Sequence, residues 1–180
     1  MDIDELISIV TLKKLEDDKF EGQNYKTVWG RIFGGQVLSQ SLHAAYQTVP
    51  ENRIAHSMHA YFILPGDLNE PVIYEVDNIR NGGSFTTRRV VAFQKGRAIF
   101  NMAASFQKDE EGFDHQIQMP NVLGPDSLMT DFEQAEKFKE ELAERYQIFL
   151  AAHPKVFDFK PVGTNIFLRK ENALPINHCW

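Results

Sequence analysis

The chain has 180 residues, a net charge of −6 and 43% hydrophobic residues, a composition typical of a folded globular protein and not of a disordered one. Its length allows one domain with a core of its own and the beginning of a second. The acidic balance disfavours nonspecific nucleic-acid binding, because such binding needs basic residues to displace counterions from phosphates.

The N-terminal part predicts one helix and one extended segment. Leu6, Ile7 and Val10 fall at helical spacing, which predicts a short amphipathic helix over Asp4 to Leu15. Residues Phe20 to Val28 place Gly22 and polar residues between aromatic ones, a pattern that favours an extended chain. This segment leads into a break before the next element.

A second helix is predicted from Gly35 to Thr48. Its apolar and small residues recur on one helical face, which indicates that this face is buried: Val37, Leu38, Ser41, Leu42 and Ala45. Val49 and Pro50 end the helix, since proline disfavours helical geometry in the residue before it.

Four strand-like runs follow at short intervals: Arg53 to Leu64, Pro71 to Arg80, Ser84 to Gln94 and Ala98 to Gln107. Turn clusters separate them, and Asn81-Gly82-Gly83 and Lys95-Gly96 are short enough for antiparallel hairpins. One helix followed by a strand meander is not the alternation that builds a parallel sheet. The pattern predicts an α+β hotdog fold, in which a curved antiparallel sheet wraps around the central helix.

The C-terminal third predicts a loop, a helix and another extended stretch. Residues Asp109 to Pro125 are acidic and contain proline, which is typical of a loop. Thr130 and Glu133 fit a capping box that opens an amphipathic helix, marked by apolar residues as far as Phe149 and ending before Pro154. The stretch Val156 to Leu168 again favours an extended chain. We expect a hotdog domain over 1–120, a loop and linker helix over 121–155, and the incomplete start of a second hotdog over 156–180.

Three segments carry a family resemblance: Arg31-Ile-Phe-Gly-Gly-Gln-Val-Leu-Ser-Gln-Ser-Leu, His56-Ser-Met-His-Ala-Tyr-Phe-Ile-Leu-Pro-Gly-Asp and Gly83-Ser-Phe-Thr-Thr-Arg-Arg-Val. They resemble, in the same order, the N-terminal part of the type II acyl-CoA thioesterases, which consist of two fused hotdog folds. The resemblance implies hydrolysis of fatty acyl-CoA to a free fatty acid and CoA by an activated water, without metal or organic cofactor. In that family the water-activating Asp, Ser or Thr, and Gln lie on the second hotdog, and no position of this chain matches them.

The start of the central helix offers local chemistry. Free backbone amides at Gly35 and the positive end of the helix dipole would stabilise the oxyanion that forms when a thioester carbonyl is attacked. The alternative is that Gly34 and Gly35 have no catalytic role and only relieve crowding where the chain enters the helix. Gln36 either contributes its side-chain amide to catalysis or faces solvent.

His56 shares its strand parity with Ile54, Met58, Ala60 and Phe62, so an apolar face is expected around it. An imidazole there could orient water or accept a proton. The alternative is a core histidine held by a backbone carbonyl.

Arg88 and Arg89 are candidates for the phosphates of CoA, because guanidinium groups bind phosphate through paired hydrogen bonds. Neighbouring strand residues point to opposite faces, so one of the two at most is expected to do so, and surface charge balance is the alternative role. His115 and His153 have no metal-ligand spacing to one another or to acidic residues, and no metal site is predicted.

Two alternatives to the hydrolase stay open: a non-catalytic acyl-CoA-binding or structural module, and a thioester hydratase or dehydratase. Any of the three is expected to associate through hotdog pairing into a homo-oligomer, because an open sheet edge needs a partner. The single Cys179, an acidic N-terminus unlike a signal peptide and the lack of a long apolar run favour a cytoplasmic protein without a membrane span.

Overall fold

The computed structural model describes residues 1–27, 30–144, 147, 156–164, 168 and 174–180. The chain divides into two units, one formed by residues 4–113 and the other by residues 1–3 with 114–180. Within the described ranges, no helix is long and apolar enough to cross a lipid bilayer.

The first unit is built on one antiparallel sheet of six strands in the spatial order β1-β2-β4-β5-β6-β3. The strands are β1 Lys13–Glu16, β2 Lys19–Gly22, β3 Ile54–Phe62, β4 Val72–Asn81, β5 Phe85–Gln94 and β6 Arg97–Gln107. The last four confirm the predicted runs to within two residues at either end. The predicted turn between β5 and β6 is confirmed as well, since Lys95 at φ 50° and Gly96 at φ 72° have the left-handed geometry of a type I′ hairpin.

The prediction for the N-terminal segment was wrong in part. Helix α1 covers Ile3–Val10 only, and residues 13–15, expected as its last turn, belong to strand β1, Lys13–Glu16. The hairpin to β2 explains the difference, because pairing of Lys14 with Phe20 satisfies backbone groups that a longer helix would have used. The extended segment predicted after Phe20 is regular strand only as far as Gly22, and its last residue lies outside the described residues.

Helix α2, Gly34–Tyr46, lies against β4, β5 and β6, as the predicted helix wrapped by a sheet requires. Ala44 and Ala45 are fully buried, and their small side chains let the helix backbone approach the strands. The opposing sheet face supplies the larger core residues, which are Phe20, Tyr74, Val90, Phe100, Met102 and Phe106. The predicted central helix is therefore confirmed.

The second unit contains helix α3, Asp131–Lys137, between 3-10 turns at Pro125–Ser127 and Lys139–Glu141. The predicted capping box is confirmed: Glu133 N–H donates to Thr130 Oγ1 at 3.1 Å, and Thr130 N–H donates to Glu133 Oε2 at 2.7 Å. The predicted length was wrong, because Phe138 leaves helical geometry at φ −112°, ψ 28°. Residues 145, 146 and 148–153 of the predicted helix lie outside the described residues. In the predicted extended stretch, the described residues form one isolated bridge, from Pro161 to Cys179.

Candidate functional site

The N-terminus of α2 presents backbone amides without helical partners. Gly34 and Gly35 are its first two residues, and the amides of a helix's first turn have no intrahelical acceptor. The N-cap residue, Phe33, gives no side-chain cap; its carbonyl accepts from Gln36 N–H at 3.0 Å. Together with the positive end of the helix dipole, the two amides can stabilise a negative charge on the oxygen of a ligand.

Aromatic rings pack directly on both glycines. A Cβ on Gly34 would lie 2.8 Å from the Phe62 ring, and a Cβ on Gly35 would overlap the Phe33 ring. The rings themselves are more than half exposed, at 64% for Phe33 and 63% for Phe62. A side chain at either glycine would have to push one of these exposed rings aside, and the amides lie beside an exposed apolar surface.

Gln36 is buried in a polar network and does not face solvent. Its Oε1 accepts from Tyr25 N–H at 3.0 Å, and its Nε2 donates to Gln23 O at 3.2 Å and Asn24 Oδ1 at 3.0 Å. Its side chain therefore fastens the segment 23–25 to the first turn of α2. The expectation that Gln36 faces solvent was wrong. The side-chain amide is buried and forms hydrogen bonds to segment 23–25 of the same chain.

One turn further along α2, Gln40 continues this network, and sequence reasoning missed it. The residue is fully buried; its Nε2 donates to Ile9 O at 2.6 Å and Gln23 O at 2.9 Å. Its Oε1 accepts from the hydroxyl of Tyr74 at 2.6 Å, and burial raises the pKa of that hydroxyl far above its ordinary value. The available signal was a pair of glutamines at i and i+4 on the apolar face of the predicted helix.

A β-bulge places His56 on the face of the sheet opposite to the one expected. Between Ala55 and Ser57 the pairing of β3 with β6 shifts by one residue, so that Ser57 lies opposite Ser105. His56 is exposed; its Nε2 lies 2.8 Å from Ser105 Oγ, and its ring contacts that of Phe85. The predicted apolar surroundings were therefore wrong, because strand parity does not continue through a bulge.

Arg88 is buried, with 1% of its surface exposed, and its guanidinium is saturated by neighbouring oxygens. Nε donates to Thr48 Oγ1, and the terminal nitrogens donate to the backbone oxygens of Thr48, Arg80 and Thr87 and to Asn81 Oδ1, all between 2.7 and 3.1 Å. Burial lowers the pKa of this guanidinium, and the charge of Asp18 acts in the opposite direction. All five N–H groups are used, so the observed geometry leaves none for a phosphate.

Arg89 points to the opposite face, as alternation along β5 predicts. Its side chain is 59% exposed and pairs with Asp77 Oδ2 at 2.9 Å. Arg89 therefore has the freedom to meet a ligand that Arg88 lacks. The structure brings Gly35 and Gln36 together at one end of α2 and keeps His56 and Arg89 on the outer face of the sheet.

Comparisons with known proteins agree with this fold. Residues 24–107 match a family model described as the acyl-CoA thioesterase N-terminal domain. Acyl-CoA thioesterase 2 of Haemophilus influenzae is 41% identical over 142 residues, which cover 79% of this chain and 50% of that protein. The chain spans about half the length of the relatives it matches.

Solved structures give the same result. An acyl-CoA thioesterase II from Mycobacterium marinum aligns with a TM-score of 0.63 at 41% identity, over 72% of this chain and 48% of that one. A hotdog-fold protein of unknown function from Alicyclobacillus acidocaldarius aligns with a TM-score of 0.61 at 22% identity, over 70% of this chain and 48% of that one. The second likeness shows the hotdog fold.

Proposed function

The chain belongs to the acyl-CoA thioesterase family, and from that premise we propose that it supplies the N-terminal hotdog of an enzyme that hydrolyses fatty acyl-CoA. An activated water would attack the thioester carbonyl, the carbon–sulfur bond would break, and the products would be a free fatty acid and CoA. The proposed hydrolysis uses neither a metal nor an organic cofactor. The observation that carries it is the pair of amides at Gly34 and Gly35, which as the first two residues of α2 have no intrahelical acceptor and lie beside exposed phenyl rings.

The geometry at α2 suits the charge that develops in this reaction. As water adds to the carbonyl, negative charge collects on the oxygen, and backbone amides at a helix N-terminus stabilise it. The exposed rings of Phe33 and Phe62 offer apolar contact to the neighbouring carbons of an acyl chain. His56 and Arg89 lie on the outer sheet face, so we assign no step of the hydrolysis to them.

We infer that the groups activating the water come from a second hotdog fold. The experiment compares acyl-CoA hydrolysis by this chain with hydrolysis by a chimera that continues into the C-terminal half of the Haemophilus influenzae relative. We expect the chimera to be faster by about 100-fold or more, the range that a positioned general base contributes. Equal, robust rates would contradict the assignment of the chemistry to the second fold.

The same assay separates the alternative functions. A chimera that binds acyl-CoA without cleaving it would indicate that the chain is a binding module, and it would contradict the proposed hydrolysis. Incubation with an enoyl-CoA and detection of hydrated product would instead indicate a hydratase.

We further propose that β3 is the edge through which hotdogs pair into a homo-oligomer. In the described sheet β3 pairs with β6 alone, so no strand covers its other edge, and none of its nine residues is buried. Ile54, Met58 and Phe62 are each about half exposed or more, at 55%, 48% and 63%. The opposite edge, β1, is only four residues long and carries lysines, which protect an edge from pairing.

Charge placed on β3 tests this pairing. Met58→Lys is expected to shift the sedimenting species toward the monomer, because a lysine on the apolar edge costs desolvation free energy. Leu15→Lys on β1 is the matched control and should leave the distribution unchanged. A wild-type chain that is strictly monomeric at high concentration would overturn the proposal.

A cytoplasmic location is also proposed, on the grounds that the single Cys179 forms no internal disulfide. Cell fractionation with an antibody against the chain tests it, and recovery in an organelle fraction would contradict it.

A further inference from the structure

We propose that Gln36 is a positioning residue for thioester hydrolysis, which acts by holding the amides of Gly34 and Gly35 toward the carbonyl oxygen. The inference rests on the proposed function and adds a residue whose own side chain does not touch the substrate.

Two successive glycines need such an anchor. Without a Cβ, glycine has access to more backbone conformations than any other residue, so neither Gly34 nor Gly35 fixes the direction of its own N–H. Oxyanion stabilisation depends on donors that are already oriented before the reaction begins. The orientation therefore depends on the helix that the pair begins and on the residues on either side of it.

On the N-terminal side, the chain is held through the loop after β3. Ile32 N–H donates to Gly66 O at 3.1 Å, and a Cβ on Gly66 would lie 2.6 Å from the Ile32 side chain. Close packing and one hydrogen bond therefore fix the approach to the helix.

On the C-terminal side, Gln36 follows Gly35 directly and is 7% exposed. Its amide makes the three bonds to segment 23–25 described above, and these use its acceptor and both hydrogens of its donor. The strand pairing of β2 ends at Gly22, so segment 23–25 lies outside the paired part of the sheet. Gln36 binds the segment at this point.

The anchor is itself tied to the rest of the fold. Asn24, which accepts from Gln36, donates to the backbone oxygens of Asp67 and Glu70 at 3.3 and 2.5 Å. Gln94, in β5, donates to the same two oxygens at 2.9 and 2.7 Å. The amide side chains of Gln36, Asn24 and Gln94, of which the two glutamines are buried, thus connect the first turn of α2, segment 23–25 and the loop 67–70 to the sheet.

The test uses Gln36→Met, which keeps the length of the side chain and removes its hydrogen bonds, with the exposed Gln47→Met at the other end of α2 as the matched control. ¹⁵N relaxation on this chain measures the order parameters of the Gly34 and Gly35 amides. We expect values near the rigid level of about 0.85 to fall toward about 0.6 in Gln36→Met and to stay unchanged in Gln47→Met.

Kinetics are measured on whichever form hydrolyses acyl-CoA, the chain or the chimera. Gln36→Met is expected to lower kcat by about 10- to 100-fold with KM nearly unchanged, because misplaced donors weaken binding of the transition state and not of the substrate. Unchanged order parameters, or normal kcat in spite of lost order, would overturn the proposal.

A second variant covers the case in which Gln36→Met does not fold. Gln36→Glu retains an acceptor and, when protonated, one donor, so its kcat relative to wild type should rise as the pH falls while near-UV circular dichroism stays constant. A constant ratio across the pH range would contradict a positioning role. If neither the chain nor the chimera hydrolyses acyl-CoA, the proposed function fails and this inference with it, while the order parameters still decide whether Gln36 orders the amides.

Discussion

Arg88 and Arg89 are adjacent in the chain and have opposite surroundings, which makes them natural controls for one another. Arg88→Met would leave five part-buried acceptors without this donor and place an apolar end in their midst, and polar groups that lose their partner away from water are costly. We expect the free energy of unfolding to fall by about 3 kcal/mol or more, whereas Arg89→Met should change it by less than about 1 kcal/mol. Urea denaturation of both variants measures the difference, and similar losses would contradict the structural role of Arg88.

His56 and Ser105 form an exposed pair whose contribution can be isolated. His56→Ala is expected to lower the free energy of unfolding by about 0.5 to 1.5 kcal/mol, the range for one hydrogen bond. The double variant with Ser105→Ala should lose less than the sum of the two single variants, because both remove the same bond. Strict additivity would show that the contact contributes nothing. A large loss of acyl-CoA hydrolysis in His56→Ala, with normal stability, would instead indicate that His56 takes part in the reaction.

Sequence reasoning at the residue scale depended on parity. It placed Arg88 and Arg89 on opposite faces, which is confirmed. It placed His56 on the wrong face, because a bulge inserts one extra residue and has no signature in the alternation of apolar residues. The saturation of Arg88 was equally beyond reach, since its partners lie up to 40 residues away in the chain.

At the scale of elements, the hydrogen bond between Tyr74 of β4 and Gln40 of α2 links helix to sheet and depends on pH. Burial raises the pKa of the Tyr74 hydroxyl from its ordinary value of 10.0. The unfolded chain therefore releases this proton near pH 10 while the folded chain retains it. Below pH 10 both states are protonated, and above it the free energy of unfolding falls, by at most about 1.4 kcal/mol per pH unit.

Tyr74→Phe removes this titration. We expect the variant to be less stable than wild type at pH 8, because Gln40 Oε1 loses its donor, and the gap to narrow between pH 10 and 11. Urea unfolding across this range measures it, with the exposed Tyr61→Phe as the control. A gap that stays constant with pH would contradict the linkage.

Elements bounded by strong turn signals were predictable, and the weakly patterned ones were not. Gly and Pro clusters delimit β3 to β6, whose ends the sequence predicts closely. Strand β1 was missed because Lys13–Glu16 has one apolar residue in four and no burial pattern. Helix α3 was predicted too long because apolar periodicity continues past Phe138, where the backbone leaves the helix.

At the scale of the whole molecule, the sheet and its core lie within residues 4–113. The backbone from 108 to 124 has no regular secondary structure, and the Phe113 side chain is fully exposed. We expect limited chymotrypsin digestion to cut first at Phe113, because exposed irregular backbone is cleaved most readily. The N-terminal fragment should retain the far-UV circular dichroism of the sheet. Earlier cleavage within β4 to β6 would contradict this order of stability.

The two edges of the sheet set a limit on assembly. A sheet that is open along β3 and protected along β1 has room for one neighbour only. Two copies meeting β3 to β3 under two-fold symmetry would each occupy the other's open strand, so growth stops at a closed pair. Extension into a fibre would require addition at β1, where lysines and a short, irregular strand oppose it. Under the pairing proposed for β3, the short charged hairpin of β1 and β2 is the feature that prevents further copies from adding to the sheet.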